Sequence, residues 1–209
     1  MTKKFEDVQV MIDLQGFLTP SEVKRLLEGA QFGDKNRNVL LLKGLAYTGR
    51  RVSELVGLKI KGQPITGGLM PEDIDLDNKQ ILWSIVKKGH PERRWIPCPL
   101  SIINELTSYI NAAHIKNGKR VFPITRQRVF QIIRLAGKNA GINYVGNKKI
   151  HPHHLRHSYA VSLIRQHVPI YKLKKLLAHS TIMVTEAYLK IAPEDIRDSA
   201  EKISEAYDE

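Results

Sequence analysis

Apolar residues recur with helical spacing over most of the chain. Thr19-Pro20-Ser21-Glu22 has the form of a helix start, with Thr as N-cap, Pro at the first position and Glu at the third. Val23, Leu26, Leu27 and Ala30 follow on one face. A second helix is predicted after Asn36, through Val39, Leu40, Leu42, Leu45 and Ala46, stopping near Thr48-Gly49. A third, short one runs from Arg51 to Leu58. The period then changes. Ile74 to Asn78 reads as a short strand ending in a turn, and Gln80 to Val86 is β-branched and aromatic. Lys87-Lys88-Gly89-His90-Pro91 signals a turn, and Arg93 to Cys98 reads as another strand. A small antiparallel sheet of two or three strands follows, with Lys87 and Lys88 at a hairpin tip.

The helical period returns after Pro99. Leu100 to Ala113 has apolar residues at 102, 103, 106 and 110. Thr125 to Ala140 sets Val129, Ile132, Ile133 and Ala136 on one face, with Arg126, Arg128, Arg134 and Lys138 on the other. His153 to His167 is entered through Pro152. Pro169 opens a helix with Ile170, Leu173, Leu176 and Leu177; one carrying Tyr188 follows Ser180; Pro193 opens the last. The fold class is mainly α with a small antiparallel β-sheet (α+β). Residues 1–17 read as a lead-in, 18–190 as one domain without a linker, and 191–209 as an acidic C-terminal helix and tail.

Charge changes this picture. The 209 residues carry 33 Lys and Arg against 21 Asp and Glu, a formal net charge of +12. That surplus points to a polyanionic partner, nucleic acid above all. It is also blocked. Leu106 to Thr185, 80 residues, contains no Asp or Glu and 14 Lys or Arg, whereas Lys190 to Glu209 has seven acids and three bases. Cys98 is the only cysteine, so an intramolecular disulfide and a Cys-based zinc cluster are excluded, and a reducing compartment is expected. No run approaches the length of a membrane span and no signal peptide is read, so a cytoplasmic protein is expected.

Five places could carry chemistry. Arg50 and Arg51 at a helix start could grip a phosphate. Lys87 and Lys88 on a turn could reach a substrate and act as acids. His151-Pro152-His153-His154-Leu155-Arg156-His157 suggests metal at first sight. It has no HExxH pattern, however, and the stretch to Thr185 has no carboxylate to complete a site, so no metal is expected. His153 and Arg156, at i and i+3, could face one anion. His179 lies in a turn between two helices, and Tyr188 stands nine residues on. Each has an ordinary structural explanation; their order and spacing together do not.

The text TGRRVSEL (48–55), KKGHPERRWIP (87–97), HPHHLRHSYA (151–160) and LLAHSTIMVTEAY (176–188) resembles the catalytic domain of the tyrosine recombinases, the lambda-integrase family. Xer-type recombinases of bacteria and archaea look most similar. The resemblance runs from Leu18 to Tyr188 and implies the DNA breaking-rejoining catalytic-domain fold. It implies cleavage and rejoining of double-stranded DNA through a 3′-phosphotyrosine, without metal, ATP or other cofactor. Tyr188 matches the nucleophile. Arg51 and Arg156 match the arginines that clamp the scissile phosphate, and His153 and His179 its histidine ligands. Lys88 matches the lysine that protonates the leaving 5′ oxygen, with Lys87 its rival. Glu54 matches a buried acid that supports the HxxR histidine.

The resemblance places Arg126, Gln127, Arg128 and Arg134 on a groove-entering helix, reading base edges or gripping phosphates. Lys172, Lys174 and Lys175 are expected as backbone contacts. It also implies a tetramer of protomers on DNA, and a monomer or weak oligomer alone. The C-terminal helix would dock on its own domain or on a neighbour. Family members carry a helical DNA-binding domain in front; 17 residues precede Leu18, so that domain is expected to be absent and DNA binding alone to be weak. Ala178 stands where the family has Gly before the histidine, a position that suits a left-handed helix end. A type IB topoisomerase, and a DNA-binding module without catalysis, are the alternatives.

Overall fold

The computed structural model describes residues 16–59, 65–87 and 90–178, and for 86, 87, 90 and 91 the backbone alone. The predicted helix starting at Thr19 is α1 (Pro20–Gly29). The Thr19 hydroxyl accepts the Glu22 N–H at 3.3 Å, and the Glu22 carboxylate accepts the Thr19 N–H at 2.8 Å, so two of the helix's open donors are closed reciprocally. Asp34 caps α2 (Lys35–Thr48), two residues earlier than the expected start after Asn36, by accepting the Arg37 N–H at 3.1 Å. This helix buries Leu40, Leu41, Leu42, Leu45 and Ala46 around most of its circumference, as a central helix must. The short α3 (Val52–Val56) follows directly.

A 3₁₀ turn at Pro71–Asp73 leads into a three-stranded antiparallel sheet, β1 (Ile74–Asp75), β2 (Gln80–Lys87) and β3 (His90–Pro97), in the order β1-β2-β3. Ile81 pairs with Ile96 and Trp83 with Arg94. The alternation turns Ile81, Trp83 and Ile85 into the core. The ladder reaches the Lys87–His90 pair, so β3 begins before Arg93, with Pro91 inside it. An edge strand tolerates this, because one row of its N–H groups pairs with nothing.

Four helices complete the described residues: α4 (Leu100–Ala112), α5 (Arg126–Asn139), α6 (Pro152–Arg165) and α7 (Ile170–Leu177). Between α5 and α6 stands a small hairpin that sequence reading missed, β4 (Tyr144–Val145) paired with β5 (Lys148–Lys149). α2 packs between α6 and α4, and α1 packs on α5. One large apolar core links these elements, and a satellite cluster of Ala160, Val161, Ile164, Leu173 and Leu177 joins α6 to α7. Among the described residues no helix is long and apolar enough to cross a membrane. The helices predicted around Tyr188 and after Pro193 lie outside the described residues.

Candidate active site

Arg51 is the N-cap of α3, in extended backbone just before the helix. Glu54, one turn on and 1% exposed, accepts the Arg51 backbone N–H at 3.1 Å and its Nη1–H at 3.2 Å. The guanidinium is thereby held from behind while its side chain stays 37% exposed. Arg50 turns the other way. It is 1% exposed, its Nε lies 3.6 Å from Glu54, and its guanidinium sits 5.6 Å from the centroid of the Trp83 ring. Two adjacent arginines therefore have opposite fates, one in the interior and one at the surface.

Arg156 comes from α6 and is 4% exposed. Its Nη2 donates to the Leu177 carbonyl at 2.7 Å and its Nη1 to the Gly49 carbonyl. The start of α6 is fixed by histidines in the place of hydroxyls. His151 Nδ1 accepts the His153 N–H at 3.3 Å, and His154 Nδ1 accepts the His151 N–H at 3.2 Å. The His151 and His154 rings stack at 3.8 Å. These two imidazoles shape the helix end, and His153 is left at the surface.

Arg51, Arg126, His153 and Arg156 line one narrow cleft between α3 and the starts of α5 and α6. His153 presents an open rim to solvent, but the protein packed around the rest of the ring displaces water. That desolvation, followed by the charges of His151, Arg156, Arg51 and Arg126, lowers its pKa to about 4. His157 is lowered to about 4 by burial first and then by His153 and Arg156. His153 is therefore neutral near pH 7 and can donate or accept a proton. The cleft presents guanidiniums and a neutral imidazole, the donor set suited to an oxyanion.

The remaining predicted residues divide. Lys88, His179 and Tyr188 lie outside the described residues, as does the Lys87 side chain. Gln127, Arg128 and Arg134 lie exposed on α5, and Arg126, Gln127 and Arg134 border a shallow groove beside the cleft. Lys172, Lys174 and Lys175 are on α7 and do not line the cleft. Glu54 is buried, but its partners are Arg50 and Arg51 rather than His153. The reason is local: Glu54 faces back along α3 toward the two residues that open it. Among the described residues no group of three or more His, Cys, Asp and Glu could hold a metal ion.

Sequence reading also missed Arg50 as an interior residue, and Lys148 on the β4–β5 hairpin, whose charge contributes to lowering His151 and His157. Gly146-Asn147, a two-residue turn signal, could have disclosed the hairpin. No local signal separates Arg50 from Arg51.

The model of the phage integrase family matches residues 16–195. The chain belongs to the phage integrase family. A tyrosine recombinase XerD of Bifidobacterium longum is 31% identical over 207 residues, covering 88% of this chain and 60% of that protein. The chain thus spans about 60% of the length of this curated relative. A crystal structure of XerA recombinase superposes with a TM-score of 0.67 at 26% identity, covering 89% of this chain and 64% of that one. The Tn1549 transposon integrase in complex with transposon right end DNA has a TM-score of 0.64 at 19% identity, covering 90% of this chain and 65% of that one, a likeness of fold. The mainly helical phage integrase fold with its small antiparallel sheet is the one expected from the sequence.

Proposed function

We propose that residues 18–190 form the catalytic domain of a site-specific tyrosine recombinase that cleaves and rejoins double-stranded DNA. The observation that carries this reading is the meeting of Arg51, His153 and Arg156 around one cleft, from segments over 100 residues apart. Membership of the phage integrase family supports it, as does the DNA held by the Tn1549 integrase.

In this reading the Tyr188 Oη attacks the scissile phosphorus and the bond to the 5′ oxygen breaks. The phosphate remains joined to tyrosine and to the 3′ side of the nick. Lys88 gives a proton to the 5′ oxygen, and the tyrosine proton passes to His153 or to the phosphate itself. Arg51, Arg156 and His179 carry the charge that grows on the non-bridging oxygens, and each such donor contributes roughly 10²–10³ in rate. The bond energy is kept in the phosphotyrosine, so the reverse attack by a 5′ hydroxyl rejoins the strand without ATP. Protomers would act together as a tetramer on DNA.

The test is a nicked or 5′-phosphorothiolate duplex incubated with the protein in EDTA. A covalent protein–DNA adduct on a denaturing gel, lost in Tyr188→Phe, is expected. No adduct from the wild type, or an undiminished one from Tyr188→Phe, overturns the reading.

A further inference from the structure

Arg50 is the buried charge that the proposed chemistry does not use. It borders the inner side of the cleft lined by Arg51, His153 and Arg156, beside the Glu54 carboxylate and the Trp83 ring, and it lies between the C-terminal ends of two helices. Its Nε donates to the Thr48 carbonyl at 3.2 Å, at the end of α2, and its Nη2 donates to the Leu176 carbonyl, at the end of α7. Arg156 makes the parallel bridge one residue along on each side, from the Gly49 carbonyl to the Leu177 carbonyl. Two guanidiniums thus lie between two helix C-termini, where the carbonyl dipoles favour positive charge.

The carbonyl accounting at α7 is complete. A helix leaves its last four carbonyls without internal partners. Here Lys174 and Lys175 accept the Ala178 N–H, Leu176 accepts Arg50, and Leu177 accepts Arg156. The next residue after Ala178 is His179, and Tyr188 follows nine later.

We infer that Arg50 is a positioning residue: with Arg156 it anchors the end of α7 to the turn that carries Arg51, and so sets where the chain departs toward His179 and Tyr188. This rests on the proposed transesterification. Stabilisation alone does not require an arginine here. A buried guanidinium is costly to desolvate, and replacing both members of a buried ion pair by apolar groups is often without loss. Among the described residues Arg50 Nη1 has no hydrogen-bond partner, which adds to that cost. What an apolar side chain cannot supply is the directed link between Thr48 and Leu176.

The test compares Arg50→Met, which keeps the bulk, with Arg50→Lys, which keeps the charge but not the fork that reaches two carbonyls. Thermal stability, affinity for the duplex, single-turnover cleavage of the 5′-phosphorothiolate substrate at saturating DNA, and hydrogen exchange of the Ala178 amide are measured. For Arg50→Met we expect lowered thermal stability, because Glu54 loses one of its two arginine partners and the Thr48 and Leu176 carbonyls lose a donor, with near-native DNA affinity, faster Ala178 exchange, and cleavage by the folded fraction slowed by about tenfold or more. Arg50→Lys should recover part of the rate; it also carries the test if Arg50→Met does not fold. Cleavage at the wild-type rate, or slowed only in proportion to the unfolded fraction, overturns the inference. If the wild type forms no adduct, the enzymatic reading fails by itself. Ala178 exchange then decides the anchoring, and unchanged exchange in a folded variant refutes it.

Discussion

His153 and His157 sit in a field that penalises their charged forms. Both have folded pKa values of about 4, against about 6.5 for a free imidazole. Between those values the unfolded chain binds more protons than the folded one, so stability falls as pH drops from about 6.5 toward 4 and is fully present above 6.5. The midpoint of thermal unfolding should therefore decline between pH 6.5 and 5, above the range of ordinary carboxylates. His157→Gln should make that decline shallower. Bound phosphate in the cleft reverses the local field, so the His153 ring protons, followed by NMR, should titrate near pH 4 in the free protein and higher with duplex DNA. The identity of these residues was legible: the spacing of His153 and Arg156 on a helix puts them on one face. Their altered pKa values were not, since the burial that lowers both, and the neighbouring charges that add to it, arise only in the fold.

Helix ends carry the clearest local grammar in this chain, and also its plainest conflict. Thr19, Asp34 and Thr125 each cap a helix by side chain, and Gly49 ends α2 in the left-handed region at φ 62°. Ala178 ends α7 the same way, at φ 51° and ψ 41°, where its Cβ is unfavourable. Ala178→Gly should stabilise the protein by up to about 1 kcal/mol, part of which is offset by the loss of a buried methyl. Denaturant unfolding would measure it. Gly49→Ala should do the opposite. Besides the positive φ, an added Cβ would stand 2.4 Å from a Tyr159 ring carbon and 2.9 Å from a Leu177 methyl. The expected loss is about 2 kcal/mol or more, and because the Gly49 carbonyl accepts Arg156, covalent adduct formation should fall with it. The Thr19 cap could be read from Glu22 three residues on, whereas the α2 cap falls at Asp34, before the expected start after Asn36. The β4–β5 hairpin escaped notice because two-residue strands have no period to detect, leaving only Gly146-Asn147 as a sign.

At the scale of the whole molecule, two elements of the acid-free stretch from Leu106 to Thr185, α5 and the start of α6, stand beside α3 at one cleft. Arg126, Gln127, Arg128 and Arg134 are exposed there, with Lys148 on the neighbouring hairpin. Binding to duplex DNA should weaken steeply as salt rises, because each neutralised phosphate releases counterions. Arg128→Ala and Arg134→Ala should each reduce the slope of log affinity against log salt by about 1 where the side chain meets a phosphate. Fluorescence anisotropy across a salt series reads this directly.

Element types, caps, the basic block and the order of the chemical residues depend on neighbours a few positions apart, or on composition. They could accordingly be read along the chain, and they carried the family resemblance. Which of two adjacent arginines goes inward could not. That choice is made by Trp83 on the sheet and by the Leu176 carbonyl, 126 residues from Arg50. The partners of Glu54, the bridge from Gly49 to Leu177 and the depressed histidines are of the same kind. Each depends on groups distant in sequence meeting in a space from which water is excluded, and proximity of that sort exists only once the chain has folded.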